Sequence, residues 1–426
     1  MQWRRYALYT GSALLALAWT TLATYLLLKL PRGGTGSDFG IFLAAGQALR
    51  FDPHANIYQA HTLLATVQAH GGCKPWHNPL YVYPPLLAIL LIPFTYLPCT
   101  YTTYLWHALT IALWAGCTLV MARRALAIGP WQALAVTALS AFFLPLMQGL
   151  EIGQVHVVVL ACCLGALVLA QRNRPSGAYS AGALLAFGAF IKYFPAFLIL
   201  YFLLRGQWRV VAGAAVAGVV LVLAQALIVG PQTLLDGVFG SLHSVQGQSH
   251  GLWVSAVPGG IAFAALAFLG FVAGVLWAAR RGSRGKGKGG DAWLGLGWAL
   301  CTMLLLSPLV WWFYLTWLLP AFAACLYVAL DPQQRLLPWQ RWSTLAALAA
   351  AYATMTLIRF NDATSVLATL LLWTLCGVLY LRSAGITLSP FRRIPQHQPQ
   401  RQPVPAMAAW QKPTTTHDDP ASRPHF

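Results

Sequence analysis

Nine carboxylates are spread over 426 residues, so each can be weighed singly. Asp38 carries the most weight. It stands in Ser37-Asp38-Phe39-Gly40, shortly after the first apolar run, residues 6–28. An acid just outside a membrane helix, ahead of a long aromatic loop, is placed to act as general base toward a hydroxyl held at the membrane surface. Asp38 or Ser37 would equally well cap a helical stretch over 39–49. Glu151, the only glutamate, lies between two apolar runs in Leu150-Glu151-Ile152-Gly153-Gln154. A carboxylate at membrane depth is costly and points to function, a helix cap or an ion pair, with Lys192 as the candidate partner. Lys192, in Ile191-Lys192-Tyr193-Phe194-Pro195, either snorkels to the interface or holds an anion. The polar segment 230–252, with His243, Gln246, Gln248, Ser249 and His250, reads first as a solvated connector and second as part of a sugar or phosphate site. His54, His61, His70 and His77 are spaced by seven to nine residues, and Asp52 is the only acid near them. That spacing matches no compact ligand motif, so neither metal nor cofactor is expected.

These residues need a scaffold, and composition names it. The chain is 58% hydrophobic and 8% charged, against roughly 25% charged in a soluble domain. Apolar runs of about 20 residues recur along its length, as helices crossing a bilayer require. They are continuously apolar rather than alternating, which excludes a membrane β-barrel. The formal charge of +18 reflects scarce acid as much as abundant base. The bases cluster in short loops, which reads as membrane topology and not as nucleic-acid binding. Seven of the eight cysteines lie in or beside apolar runs and only Cys73 does not, so no disulfide framework is expected.

Lys and Arg clusters mark cytoplasmic loops at 4–5, 123–124, 172–174, 205–209, 280–288, 335–341 and 382–393. The tips between them, 150–154, 192–195, 230–252, 307–314 and 359–362, then face the other side. Both termini fall in the cytoplasm, and residues 6–28 read as an uncleaved first membrane helix. The expected fold is an all-α polytopic bundle of about 10–13 transmembrane helices. Residues 1–381 form the membrane domain and residues 382–426 a basic, Pro-rich, disordered tail. The loop 29–83 is the large first extracytoplasmic loop, with interfacial helices over 39–50 and 58–70. The run 84–97 is short and proline-bearing, a re-entrant or kinked half-span, and the pair within 178–204 is broken at Pro195.

Read in order, these segments resemble glycosyltransferase family 87, the polyprenyl-phosphate-mannose-dependent mannosyltransferases of the GT-C superfold. Ser37-Asp38-Phe39, then 44–49 (Ala-Ala-Gly-Gln-Ala-Leu) and Asn56-Ile57-Tyr58, are similar to that family's first outer loop. Tyr83-Pro84-Pro85 resembles its Tyr-Pro-Pro segment, and Gly153-Gln154-Val155-His156 a Gly-Gln-Val-Asn turn with His in place of Asn. Lys192 and Pro195 fit a Lys-x-x-Pro helix, Gln246-Gly247-Gln248-Ser249 an Asn-Gln-Ser loop, and Ser307-Pro308-Leu309-Val310-Trp311 a Ser-Pro-x-x-Trp helix start. The resemblance covers residues 30–330. A second departure matters more: the family often has His two residues beyond that Trp, and here it is Phe313.

The resemblance implies an integral protein of a bacterial inner membrane with its active site outside the cytoplasm. Its donor is a polyprenyl-phosphate sugar, most readily mannose, and its acceptor a lipid or glycan. Transfer is inverting, with Asp38 as the one base and a stabilised leaving phosphate. A second carboxylate, as in retaining double displacement, is not needed. Lys192 and His250 are then the candidates for the donor phosphate. Glu151, Gln154, Gln248 and Ser249 are candidates for sugar or acceptor hydroxyls, and Tyr83 and Trp311 for packing on sugar or isoprenoid. The rival readings are a lipid or glycan transporter or flippase, a polymerase or ligase of lipid-linked glycans, and a homologue inactivated at Phe313.

Overall fold

A computed structural model describes residues 38–75, 79–172, 174–248, 253–282, 290–307, 310–331, 334, 336–357 and 362–385, without the side chains of 238–253 and 282–290. The expected first membrane helix, His77, Ser249, His250, the side chain of Gln248 and the expected tail from residue 386 lie outside this description. Every regular element among the described residues is helical. Five helical segments are long and apolar enough to cross a membrane: Cys99–Arg124, Trp208–Gly237, Gly260–Arg281, Trp312–Leu330 and Asp362–Ser383. A sixth is added if Pro130–Ser140 and Leu144–Glu151, bent by 68°, form one broken span. The chain is an all-α polytopic membrane protein. The expectation of about 10–13 crossings counted apolar runs, and several of those runs fold as helices of only 10–17 residues, among them His156–Ala170 and Pro175–Ile191.

Ahead of the first described span lie α1 (Asp38–Phe51), α2 (Ala60–His70) and α3 (Pro85–Leu91), the last continuing as a 3-10 turn over Ile92–Tyr96. The spans and half-spans follow as α4 (Cys99–Arg124), α5 (Pro130–Ser140), α6 (Leu144–Glu151), α7 (His156–Ala170), α8 (Pro175–Ile191), α9 (Ala196–Leu204) and α10 (Trp208–Gln248). After them come α11 (Gly260–Gly282), α12 (Gly290–Leu305), a 3-10 segment Trp312–Leu318, α13 (Leu319–Leu330), α14 (Pro338–Leu357) and α15 (Asp362–Ser383). In lipid, helices associate through close backbone approach rather than hydrophobic exclusion. The α8–α10 contact works this way: a methyl at Gly182 would meet the Val210 carbonyl, and one at Gly213 the Tyr179 backbone.

Three expectations need correction. The first concerns α1, expected as an interfacial helix. All its residues from Phe39 to Leu49 are buried. Its middle is small and apolar, and Gly46 lets α3 approach until a Cβ there would lie 2.9 Å from the Ala88 carbonyl. Its one mid-helix polar group is satisfied internally, Gln47 Nε2 donating to the Gly71 carbonyl at 2.7 Å. By contrast α2 buries only Leu63 and Val67, four residues apart on one face. The second concerns 230–252, expected as a polar connector. Its described part to Gln248 is helical, divided from the preceding span by a kink at Gly230 (φ 80°), with Pro231 opening the new piece.

The third is a disulfide. Cys73 and Cys99 are bonded, their Cα atoms 5.2 Å apart. Cys99 reads in sequence as membrane-adjacent, and only the return of the chain through α3 brings it beside Cys73. The bond closes a loop of sequence separation 26, worth about 3–4 kcal/mol by loop entropy. It ties the segment carrying Tyr81 and Tyr83 to the start of α4. The other six cysteines are free and buried. Maleimide applied to the denatured, unreduced protein is therefore expected to label those six, with two more labelled after reduction. Eight labels without reductant would contradict the bond.

The short runs fold as expected. The run 84–97 becomes α3 and its 3-10 turn, and the pair within 178–204 breaks between Ile191 and Ala196. The N-terminus of α3 is held from within the bilayer span: buried Gln225 of α10 accepts the Leu86 N–H at 2.9 Å. A glutamine in that apolar run gave no sign of this partner, 139 residues away.

Candidate active site

Asp38 opens α1, partly buried, in the first turn where a carboxylate meets the positive end of the helix. The α6–α7 turn docks directly onto it. Phe39 N–H donates to the Ile152 carbonyl at 3.2 Å, and Trp106 Nε1 to the Gly153 carbonyl at 2.8 Å. Phe39 stacks on Trp106 with centroids 5.0 Å apart. Gly153 holds a left-handed conformation (φ 72°), and a Cβ there would lie 2.6 Å from that of Phe39. This turn aims Gln154, whose Nε2 donates to Asp38 Oδ2.

Behind Gln154 the polar contacts continue inward. Tyr83 OH donates to Gln154 Oε1 at 3.0 Å, and Lys192 Nζ donates to Tyr83 OH at 3.0 Å. Tyr83 is fixed by its neighbours: Phe42 packs edge-on at 4.7 Å, and its own carbonyl accepts Tyr58 OH at 3.1 Å. Burial holds the Tyr83 phenol well above its ordinary range, so it keeps its proton.

Lys192 sits in the break between α8 and α9, its backbone extended (φ −158°). It is the only buried Lys, Arg, Asp or Glu among the described side chains. The side chain is buried and its Nζ donates to Tyr83 OH. Aromatic rings box it in, Tyr314 at 4.2 Å, Tyr83 at 4.6 Å and Phe313 at 5.7 Å from Nζ. Three such contacts, about 0.5–2 kcal/mol each, offset part of the several kcal/mol that burial costs an ion. Desolvation accordingly brings the ammonium down to about 7, against the opposing pull of Asp38.

Three sequence candidates, Gln154, Tyr83 and Lys192, thus converge on Asp38. Glu151 does not. It ends α6 exposed, with no partner for its carboxylate among the described residues. Trp311 is half exposed at the start of the 3-10 segment, while its neighbours Phe313 and Tyr314 turn inward. Sequence reading missed Trp106, Phe39 and Tyr314, which hold the site by packing and whose residue types carry no chemical signal. It also missed a relation between the two departures from the family pattern. His156 and Phe313 are in contact, their rings 5.8 Å apart.

A model of glycosyltransferase family 87 matches residues 81–308, more than half of the chain. The chain belongs to glycosyltransferase family 87. It is a membrane glycosyltransferase. Two curated relatives match more than half of its length. One is the polyprenol-phosphate-mannose-dependent alpha-(1-2)-phosphatidylinositol pentamannoside mannosyltransferase of Mycolicibacterium smegmatis. It is 27% identical over 88% of this chain and 86% of its own length. The other is a polyprenol-phosphate-mannose-dependent alpha-(1-2)-phosphatidylinositol mannoside mannosyltransferase of Mycobacterium tuberculosis. It is 25% identical over 62% of this chain and 68% of its own. No solved structure matches. Asp38 precedes the family-matched region, whereas Tyr83, Gln154 and Lys192 fall inside it.

Proposed function

We propose that this family 87 enzyme transfers mannose from polyprenyl-phosphate-mannose to a phosphatidylinositol-mannoside-type glycolipid, with inversion and with Asp38 as general base. The donor and acceptor classes follow from the relatives' names. The observation that carries the base assignment is the docking of the Gln154 turn onto Asp38, which fixes a carboxylate oxygen at the mouth of a helix. A carboxylate offers about four lone-pair sites, and the Gln154 amide occupies one of them. Inversion asks for this single base and for stabilisation of the leaving phosphate. His250 remains the candidate for the phosphate, since buried Lys192, bonded to Tyr83, has little surface to offer one. The Cys73–Cys99 bond supports an extracytoplasmic site, since disulfides persist in oxidising compartments.

The test is transfer from radiolabelled polyprenyl-phosphate-mannose in membranes with and without the expressed protein, supplied with phosphatidylinositol mannosides. Label is expected in a more mannosylated glycolipid only where the protein is present. Label from another lipid-phosphate sugar but not from the mannose donor would overturn the donor assignment. Label in a different product would overturn the acceptor.

A further inference from the structure

Taking Asp38 as the base, the directions of three hydrogen bonds say more than their existence. At the Lys192–Tyr83 contact the amine donates and the phenol oxygen accepts. The Tyr83 proton is then the one that reaches Gln154 Oε1, at 3.0 Å. That contact fixes the amide, which faces Asp38 with its NH₂. Every donor in the row points the same way, from buried Lys192 toward Asp38, and the last acceptor is the carboxylate. A protonated Asp38 accepting there would lose the charge-assisted part of this bond, roughly half its strength.

We propose that Lys192, Tyr83 and Gln154 form a one-way hydrogen-bonded row that keeps Asp38 ionised and aimed, and that all three are positioning residues rather than contacts to sugar or phosphate. Burial agrees: Tyr83 is 5% exposed, Gln154 3% and Lys192 6%, which leaves almost no surface for a substrate. Among the described residues, Lys192 and Tyr83 of the row lie in the field of Asp38, and so does Tyr314, which also lines the Lys192 box. Cutting the row in its middle removes two bonds and no ring. Tyr83→Phe keeps the packing against Phe42 and Lys192 while deleting the hydroxyl.

The decisive measurement is a carboxyl-carbon NMR titration of aspartate-labelled protein in detergent, with Asp38→Asn identifying the signal. In Tyr83→Phe the Asp38 midpoint is expected to rise by about one pH unit, a typical size for losing such support. The acidic limb of the transfer profile should move by the same amount, kcat should fall about tenfold, and the KM for donor should not change. Lys192→Arg should keep the wild-type midpoint and Lys192→Met should not. An unchanged midpoint in Tyr83→Phe would overturn the row, and so would a raised donor KM with kcat intact, the mark of a substrate contact. This result is separable from the base assignment. Asp38→Asn with full transfer removes the base even if the midpoint shifts, whereas an inactive Asp38→Asn with an unshifted Tyr83→Phe removes the row alone.

Discussion

Asp38→Asn is expected to lower mannosyl transfer by about 10²–10⁴-fold, the range that general-base catalysis supplies, while the protein still inserts and melts near the wild-type temperature. The substitution separates the two readings of Asp38 with little collateral change. Asparagine is as good a helix N-cap as aspartate, so a residue kept only to cap α1 would tolerate it. The amide oxygen can still accept from Gln154 Nε2, so the α6–α7 turn keeps its anchor. What disappears is the negative charge and the capacity to take a proton. The lost interaction with the helix dipole costs only about 0.3–1 kcal/mol, too little to unfold a bundle whose core runs from Phe39 to Tyr380. The measurement is transfer per folded molecule, with folding followed by thermal unfolding in detergent. Activity near wild type would exclude Asp38 as the base and restore the capping role.

Much of this was legible in the residues, for identifiable reasons. The breaks at 192–195 and after Pro84 were visible because proline and run length act locally. The expected sidedness of the loops rests on Arg and Lys clusters, a signal independent of packing. Asp38, Tyr83, Gln154 and Lys192 stood out because polar groups are rare in so apolar a chain, and the structure brings these four together. What could not be read was how they connect. Lys192 and Tyr83 are 109 residues apart and Gln154 and Asp38 116, and no local pattern encodes such pairs. The burial of α1 was hidden for a related reason: a short helix with charged ends looks interfacial until the elements that cover it are known. The Cys73–Cys99 bond was hidden because residue type says nothing about where α3 returns the chain.

Gly153→Val is expected to cut transfer by about a hundredfold, the scale of a 1 Å displacement of a catalytic group, without touching any residue of the Lys192–Asp38 row. At φ 72° a side chain costs about 1–2 kcal/mol in backbone strain. Here the new Cβ would also stand 2.6 Å from that of Phe39, the residue immediately after Asp38. Phe39 cannot yield, since its ring is stacked on Trp106, which is itself tied to the Gly153 carbonyl. The turn must therefore lift from the start of α1, and Gln154 leaves with it. Gly206 supplies the control. Its φ is 69°, and nothing lies within 4 Å of a Cβ built there. Gly206→Val carries the same kind of strain at a turn remote from the row, so it should lower the melting temperature yet leave transfer per folded molecule unchanged. If the two variants lose transfer equally, strain alone explains Gly153 and the turn does not position the base. If only Gly153→Val loses it, activity depends on how closely two backbone segments meet, at the one position where a side chain would keep them apart.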